Sequence, residues 1–468
     1  MKPGRRLGGW TVSGAVALLT VYPSIRLSAQ DSSAIDRGVR IGIVYRPGVR
    51  PGMVVLPPPR APALDSVRAI LARDLDYSDR FELITLPAGD SIRVATAAPA
   101  PAPSSAGRTG GTGGTAATSL NYPLYQALGA DFAVMLATAH ADTTVVTVHD
   151  VTAGGVRREF RAHLPPLPDP GFRLAVHRLA DRVLEATLGT SGIAATRVLL
   201  VRNGKVYSVD QDGADVRLVS SSDHQAMSPA WAADGRRFAY MEFWQGHGQL
   251  FVQDVATGKR VAVATTGQKL DFTPAFAPDG QTLAFSRATE EGTDIYTVNI
   301  KQNCCLQRLT VGRFSDNLSP TYSPDGQRIA FVSTRAGLPQ IYVMAADGTD
   351  QQLFAPFDYG VTGASYAPDW SPDGQSVAFH RDVGGTYQVF VLDVRTRAVR
   401  QLTSVGRNED PTWAPDSRHV AFVSDRSGIR QLWIVDVETG RIRVLLPQGG
   451  VRLPAWSPRI PETTASTP

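Results

Sequence analysis

Ser319-Pro-Thr-Tyr-Ser-Pro-Asp-Gly326 decides the fold of this chain, because five variants of it recur around it. They are Ser228-Pro-Ala-Trp-Ala-Ala-Asp-Gly235, Thr273-Pro-Ala-Phe-Ala-Pro-Asp-Gly280, Ala367-Pro-Asp-Trp-Ser-Pro-Asp-Gly374, Asp410-Pro-Thr-Trp-Ala-Pro-Asp-Ser417 and the truncated Leu453-Pro-Ala-Trp-Ser-Pro458. Their aromatics, Trp231, Phe276, Tyr322, Trp370, Trp413 and Trp456, lie 45, 46, 48, 43 and 43 residues apart. A period in the forties with short strands between turns is the signature of a propeller blade. The turn has a physical cause. Proline presets φ, aspartate accepts local backbone hydrogen bonds, and glycine takes the left-handed conformation that closes the hairpin.

Each copy runs on into further strands, such as Ile329-Ala-Phe-Val-Ser333, Gln340-Ile-Tyr-Val-Met344 and, one blade later, Val399-Arg-Gln-Leu-Thr403. With the aromatic segment this makes four strands per unit. The last copy stops after its first strand. At the front of the array, Arg197–Arg202, Lys205–Asp210 and Val216–Ser220 are three strands without a preceding phrase. Joined, they complete one blade, so the pattern predicts an all-β six-bladed propeller whose closure hides its sheet edges.

Residues 1–29 read as a secretory signal: Lys2, Arg5 and Arg6, an apolar stretch from Trp10 to Tyr22, and Leu27-Ser-Ala29 before Gln30. No later segment reaches the roughly 20 apolar residues of a membrane span. Lys2, Arg5, Arg6 and Arg26 carry the whole formal charge of +4, so the remainder is neutral and nucleic acid is not an expected partner. Residues 30–190 lack the repeat and predict a small α/β domain. It has strands at Val39–Tyr45, Arg80–Thr85, Asp131–Leu136, Thr143–His149 and Val156–Arg161. Helices are expected over Leu64–Leu75, Tyr122–Leu128 and Gly171–Leu188. The stretch 96–118 is almost wholly Ala, Pro, Ser, Thr and Gly and reads as a disordered insertion. The propeller is placed at 191–460 and a flexible tail at 461–468.

No catalytic constellation is visible. The chain has no Gly-x-Ser-x-Gly elbow, and its eight histidines show no metal-ligand spacing. The Asp-Gly turns could bind calcium, but the aspartates are accounted for by the turn backbone. No cofactor and no metal are expected. Cys304 and Cys305 are adjacent and close only a strained ring with each other, so they read as a free or vicinal pair without a task.

The order of these parts resembles the TolB family of periplasmic propellers, over about Gln30 to Ile460. Tyr125-Gln-Ala-Leu-Gly-Ala-Asp-Phe-Ala-Val134 resembles the family's segment before a hydrophobic strand, and Ala226-Met-Ser-Pro-Ala-Trp231 resembles its first blade entry. The insertion at 96–118 departs from the family pattern. The resemblance implies a monomeric, non-enzymatic adaptor of the Tol-Pal system. Its propeller mouth would bind the peptidoglycan-associated lipoprotein Pal, supporting outer-membrane invagination and integrity during cell division. It implies a Pal surface made by the loops entering each Pro-x-aromatic strand: Gln225, Ala226 and Met227; Leu270, Asp271 and Phe272; Asp316, Asn317 and Leu318; Arg407, Asn408 and Glu409. It further implies a TolA contact in the mature N-terminus, at Asp31, Ile35 and Asp36. The competing reading is a secreted propeller enzyme or a carbohydrate- or peptide-binding protein on the same scaffold.

Overall fold

Glycine, proline and β-branched residues partition this chain into 29 short strands and three helices among the described residues. The computed structural model describes residues 50–58, 62–86, 120–140, 143–220, 223–244, 246–265, 269–356 and 363–461. The signal-like start, the strand expected at 39–45, Asp31, Ile35, Asp36 and the insertion at 96–118 lie outside them.

The first part is a five-stranded sheet with helices on it. Its elements are β1 (Gly52–Val55), α1 (Pro62–Tyr77), β2 (Glu82–Leu83), α2 (Tyr122–Ala127), β3 (Phe132–His140), β4 (Thr143–Asp150), β5 (Gly155–His163) and α3 (Phe172–Leu188). The sheet order is β2-β1-β3-β4-β5, with β1 parallel to both neighbours. Leu64, Val67, Leu71 and Leu75 of α1 recur at helical spacing. With Val176, Leu179 and Val183 of α3 they bury Met53, Phe132, Val134 and Val146 on one face. The sequence reading missed β1, whose four residues stand between Pro51 and Pro57 and resemble a loop. The close approach of Gly52 to the Gly129 carbonyl leaves no room for a Cβ.

The rest forms six four-stranded units. Their innermost strands are Gln225–Trp231, Asp271–Phe276, Ser315–Tyr322, Ser365–Trp370, Asn408–Trp413 and Val451–Trp456, taken here as blades 1 to 6. Each lies beside the next, and Val451–Trp456 lies beside Gln225–Trp231, so the ring is closed. The sixth unit is composite: Val451–Trp456 pairs antiparallel with Arg197–Arg202, which continues into Lys205–Asp210 and Arg217–Leu218. At one end neighbouring blades touch through backbone, as Gly292 and Thr293 pair with Ser315 and Asp316.

Turn chemistry follows the sequence reading. Asp234 and Asp279 each accept two backbone N–H bonds from the residues after the turn, and Gly235, Gly280, Gly326 and Gly374 have positive φ. A second regularity was not anticipated. The residue before the proline in all six phrases (Ser228, Thr273, Ser319, Ala367, Asp410 and Leu453) also has positive φ, between 46° and 52°. Each coincides with a register shift, so every innermost strand carries a bulge that re-aims its first half.

Inside blades 2 to 5 an arginine caps two neighbouring rings. Arg287 lies over Phe285 and Tyr296, Arg335 over Phe331 and Tyr342, Arg381 over Phe379 and Phe390, and Arg426 over Phe422 and Trp433. The rings fill the core, while the guanidinium closes it toward the end where the innermost strand begins. Cys304 and Cys305 are joined as a vicinal disulfide on the outermost strand of blade 2.

Candidate partner-binding mouth

The two ends of the ring differ in kind. At the end where the innermost strands finish, the six proline phrases surround a cavity of about 460 Å³. Asp369 and Asp410 are among its lining residues, and burial raises both carboxyls to about 6. Each is engaged by the next blade: Asp369 accepts from the Trp413 N–H at 2.7 Å and Asp410 from the Leu453 N–H at 3.3 Å. These bonds staple neighbouring blades together.

The α/β part is seated at this same end. Arg418 follows the blade 5 turn and donates to both oxygens of Asp436 and to the Asp79 carbonyl. His419 bonds Asp416 at 2.7 Å and, across the boundary, Asp79 at 3.2 Å. Burial alone would lower the His419 pKa, but Asp416 and Asp79 lift it to about 9. His177 on α3 mirrors it, with Nδ1 on Asp74 and Nε2 facing Asp210 at 3.5 Å. Burial again works against the charged ring, and Asp210 and Asp74 raise it to about 10. Two such groups, Asp74, His177 and Asp212, and Asp79, His419 and Asp436, have the spacing of metal ligands although their histidines are dispersed in sequence. Arg173 and Arg73 bond Asp212, and Arg418 bonds Asp436, so arginine already supplies the cation in each.

The opposite end, where the innermost strands start, has free loops. The hairpin between the second and third strands returns here, since Asn317 pairs with Ser333 and Ser333 with Gln340. This end carries large apolar side chains in water. Phe314 is 90% exposed and Trp244 54%, joined by Val311, Leu338, Val405 and Ile429. Inside them, Met227, Phe272, Leu318 and Tyr366 are half-buried at equivalent positions, two residues before the proline. Exposed apolar groups concentrated at one end of a molecule mark an interaction surface.

The residues expected at this mouth divide into two sets. Gln225, Met227, Leu270, Phe272, Asp316, Leu318 and Glu409 are exposed or half-buried here. Asp271, Asn317 and Asn408 are not solvent-exposed loop residues, and the expectation of accessible side chains is corrected for them. They stand three residues before the proline, where strand alternation turns them inward. Asp271 is 1% exposed and takes a two-pronged bond from Arg287, at 2.6 and 2.8 Å. Asn317 accepts from Ser333 and Arg335 and donates to Asp294, while Asn408 accepts from Arg426 and donates to Gln388. Ala226, also assigned to the mouth, is likewise fully buried. Asp271, Asn317 and Asn408 each hold the arginine that caps their own blade. Asn317→Ala should therefore destabilise by about 1–3 kcal/mol, the cost of leaving buried polar groups unmet. A urea melt indistinguishable from the parent's would contradict this role.

Sequence reasoning missed Phe314, Trp244, Leu338 and Ile429. The available signal was an apolar residue inside a Gly- or Ser-marked hairpin, as in Ala336-Gly-Leu-Pro339 and Ser427-Gly-Ile-Arg430, where no core is within reach.

A closed ring of four-stranded sheets with a small α/β domain on one end and an apolar mouth on the other defines a propeller recognition scaffold. Residues 184–460 match the TolB beta propeller domain, and the chain belongs to that family. Its fold is similar to the crystal structure of TolB from Acinetobacter baumannii, with a TM-score of 0.71 at 24% identity over 88% of this chain and 98% of that one. The structure of a putative TolB from Agrobacterium tumefaciens matches with a TM-score of 0.46 at 20% identity, over 55% of this chain and 90% of that one. Among the described residues no helix is long and apolar enough to cross a membrane.

Proposed function

We propose that this protein is a periplasmic, non-enzymatic adaptor of the Tol-Pal system, whose strand-entry mouth holds the peptidoglycan-associated lipoprotein Pal. The observation that carries the reading is the set of exposed apolar tips, Trp244, Phe314, Leu338 and Ile429, around the ring end left uncovered by the α/β domain. Family membership and the signal-like start support the periplasmic role and the domain limits expected from sequence. In the same reading, the N-terminal Asp31, Ile35 and Asp36 meet TolA, and the adaptor supports outer-membrane invagination and integrity during cell division. An enzymatic reading would draw on Asp369 and Asp410, each of which accepts a backbone N–H of the next blade and so has a structural role between blades.

The test is a calorimetric titration of the full mature chain with the soluble domain of Pal from the same cell. Phe314→Ala and Trp244→Ala should each weaken binding by about tenfold or more, as truncation of aromatic interface anchors does. The melting temperature should stay at the parent value for Phe314→Ala, whose side chain sits in water, and fall little for Trp244→Ala, whose ring is half-exposed against His224. Absence of binding by the parent chain ends this reading. Parent-like binding by both variants moves the site to another face.

A further inference from the structure

The strand-entry mouth is electrically divided, and the division runs between blades. At the entry end of blades 5 and 6 the chain places Arg202, Lys205, Arg407, Arg426, Arg430 and Arg452 against Glu409 and Asp425, with Asp223 in the loop that leaves blade 6 for blade 1. Blades 2 and 3 place Lys269, Arg287, Arg313 and Arg335 against Asp271, Glu290, Glu291 and Asp316, with Asp294 paired to Arg308. Blade 4 contributes Arg381 and Asp382, which balance. Among the described residues blade 1 adds no lysine or arginine there beyond Arg260, paired to Glu242, so the cationic surplus lies on one arc of the rim.

The apolar groups occupy the other arc. Two residues before the proline the six blades carry Met227, Phe272, Leu318, Tyr366, Glu409 and Arg452 in turn, apolar through blade 4 and charged in blades 5 and 6. Glu409 does not neutralise its sector. It is held between Arg407 at 2.8 Å and Arg430 at 2.9 Å, so one carboxylate is shared by two guanidinium groups. Both arginines keep about two-fifths of their side-chain surface in water, at 40% and 42%. Arg407 also lies over the Tyr387 ring at 4.5 Å, which limits its rotamers. Arg452 is exposed on the innermost strand itself.

We propose that this arc receives a carboxylate-bearing surface of the protein partner, while Phe272, Leu318 and Tyr366 receive its apolar ridge. The partner thus carries acidic residues on one side of its contact patch and apolar residues on the other, and the arginines fix its rotation about the ring axis. Guanidinium forks suit carboxylates geometrically, and a one-sided charge distribution orients a partner that a near-symmetric ring would otherwise accept in several rotations. A protein is favoured over an anionic membrane because the cations border a half-buried apolar recess, where a flat lipid surface would leave Phe272 and Tyr366 uncovered.

The proposal rests on the mouth being the Pal site, and one experiment separates the two. Binding of the mature chain to the soluble domain of Pal is measured at 50 and 300 mM salt. The Arg430→Glu/Arg452→Glu variant, Arg452→Glu alone and Lys301→Glu, an exposed turn change at the far end, are measured alongside. The expected result is affinity falling at least about tenfold with salt for the parent, a comparable loss in both arginine variants at low salt, and no change in Lys301→Glu. Arg452→Glu keeps the test valid if the double variant fails to melt cooperatively. Binding that ignores salt and both arginine variants overturns the charged arc and leaves the mouth assignment standing. No binding by the parent overturns both. Arginine-dependent binding to phosphatidylglycerol vesicles, with Pal binding unmoved, overturns it in favour of a membrane contact.

Discussion

A chain that ends at Gly450 is expected to lose its cooperative melt. The deletion takes away one strand, but that strand joins four parts of the molecule. Val451 and Trp456 are buried and complete the sheet begun by Arg197–Arg202. Trp456 donates from its indole to Thr196 at 2.9 Å and from its backbone to Thr412 of blade 5 at 3.2 Å. Trp231 of blade 1 donates to the Ala455 carbonyl at 3.1 Å. Beyond the strand, Arg459 reaches the Gly192 carbonyl, and Arg178 of α3 reaches that of Pro461. Losing the tryptophan alone costs about 3–5 kcal/mol in a packed core. An exposed strand edge and the orphaned indole of blade 1 add to it, against a total stability of about 5–15 kcal/mol. Circular dichroism melts and gel filtration of the truncated chain should show a broad, early transition and self-association. A chain ending at Pro461 should melt like the parent. If both chains melt alike, closure through the last strand is not what holds the ring.

That closure was readable in the sequence because a strand lacking partners and three strands lacking a first member are complementary deficits. The four strands of each blade, the turn chemistry and the helices of the α/β part were legible for similar reasons, since each is fixed by local spacing. The mouth was legible only as a set of positions. Asp271, Asn317, Ser365 and Asn408 look like polar loop residues, yet each meets an arginine 16 or 18 residues later: Arg287, Arg335, Arg381 and Arg426. The recurrence of that offset was present in the sequence, but its meaning depends on the left-handed bulge before each proline. That bulge leaves no compositional mark, because Ser, Thr, Ala, Asp and Leu all occupy it. Contacts between the two parts of the chain were illegible for a different reason. His419 and Asp79 are 340 residues apart, and no local pattern ties them.

Those contacts carry the second large effect. Arg418 is among the largest fully buried side chains and sits where propeller meets α/β domain, bonded to Asp436 and to the Asp79 carbonyl. Beside it, Arg441 bonds the Asp79 carboxylate at 2.6 Å, and Arg443 lies over the Tyr77 ring at 3.9 Å. Arg418→Met should cost about 3–5 kcal/mol, because it strands a buried Asp436 carboxylate that the guanidinium now holds below the usual range despite burial. The same junction should make stability fall with alkaline pH. The His419 pKa is raised from 6.5 to about 9 in the folded state, so folding favours the protonated ring. Its contribution is complete below 6.5, declines as pH rises toward 9 and is gone above it. His177 extends the decline to about 10. At about 1.4 kcal/mol per pKa unit, His419 is worth a few kcal/mol at its maximum. Urea melts of the parent from pH 6 to 9.5 should show this loss, and His419→Gln should start lower and flatten the slope. A His419→Gln slope equal to the parent's would mean that the ring is neutral in the fold, and that Asp79 is held there by Arg441 alone.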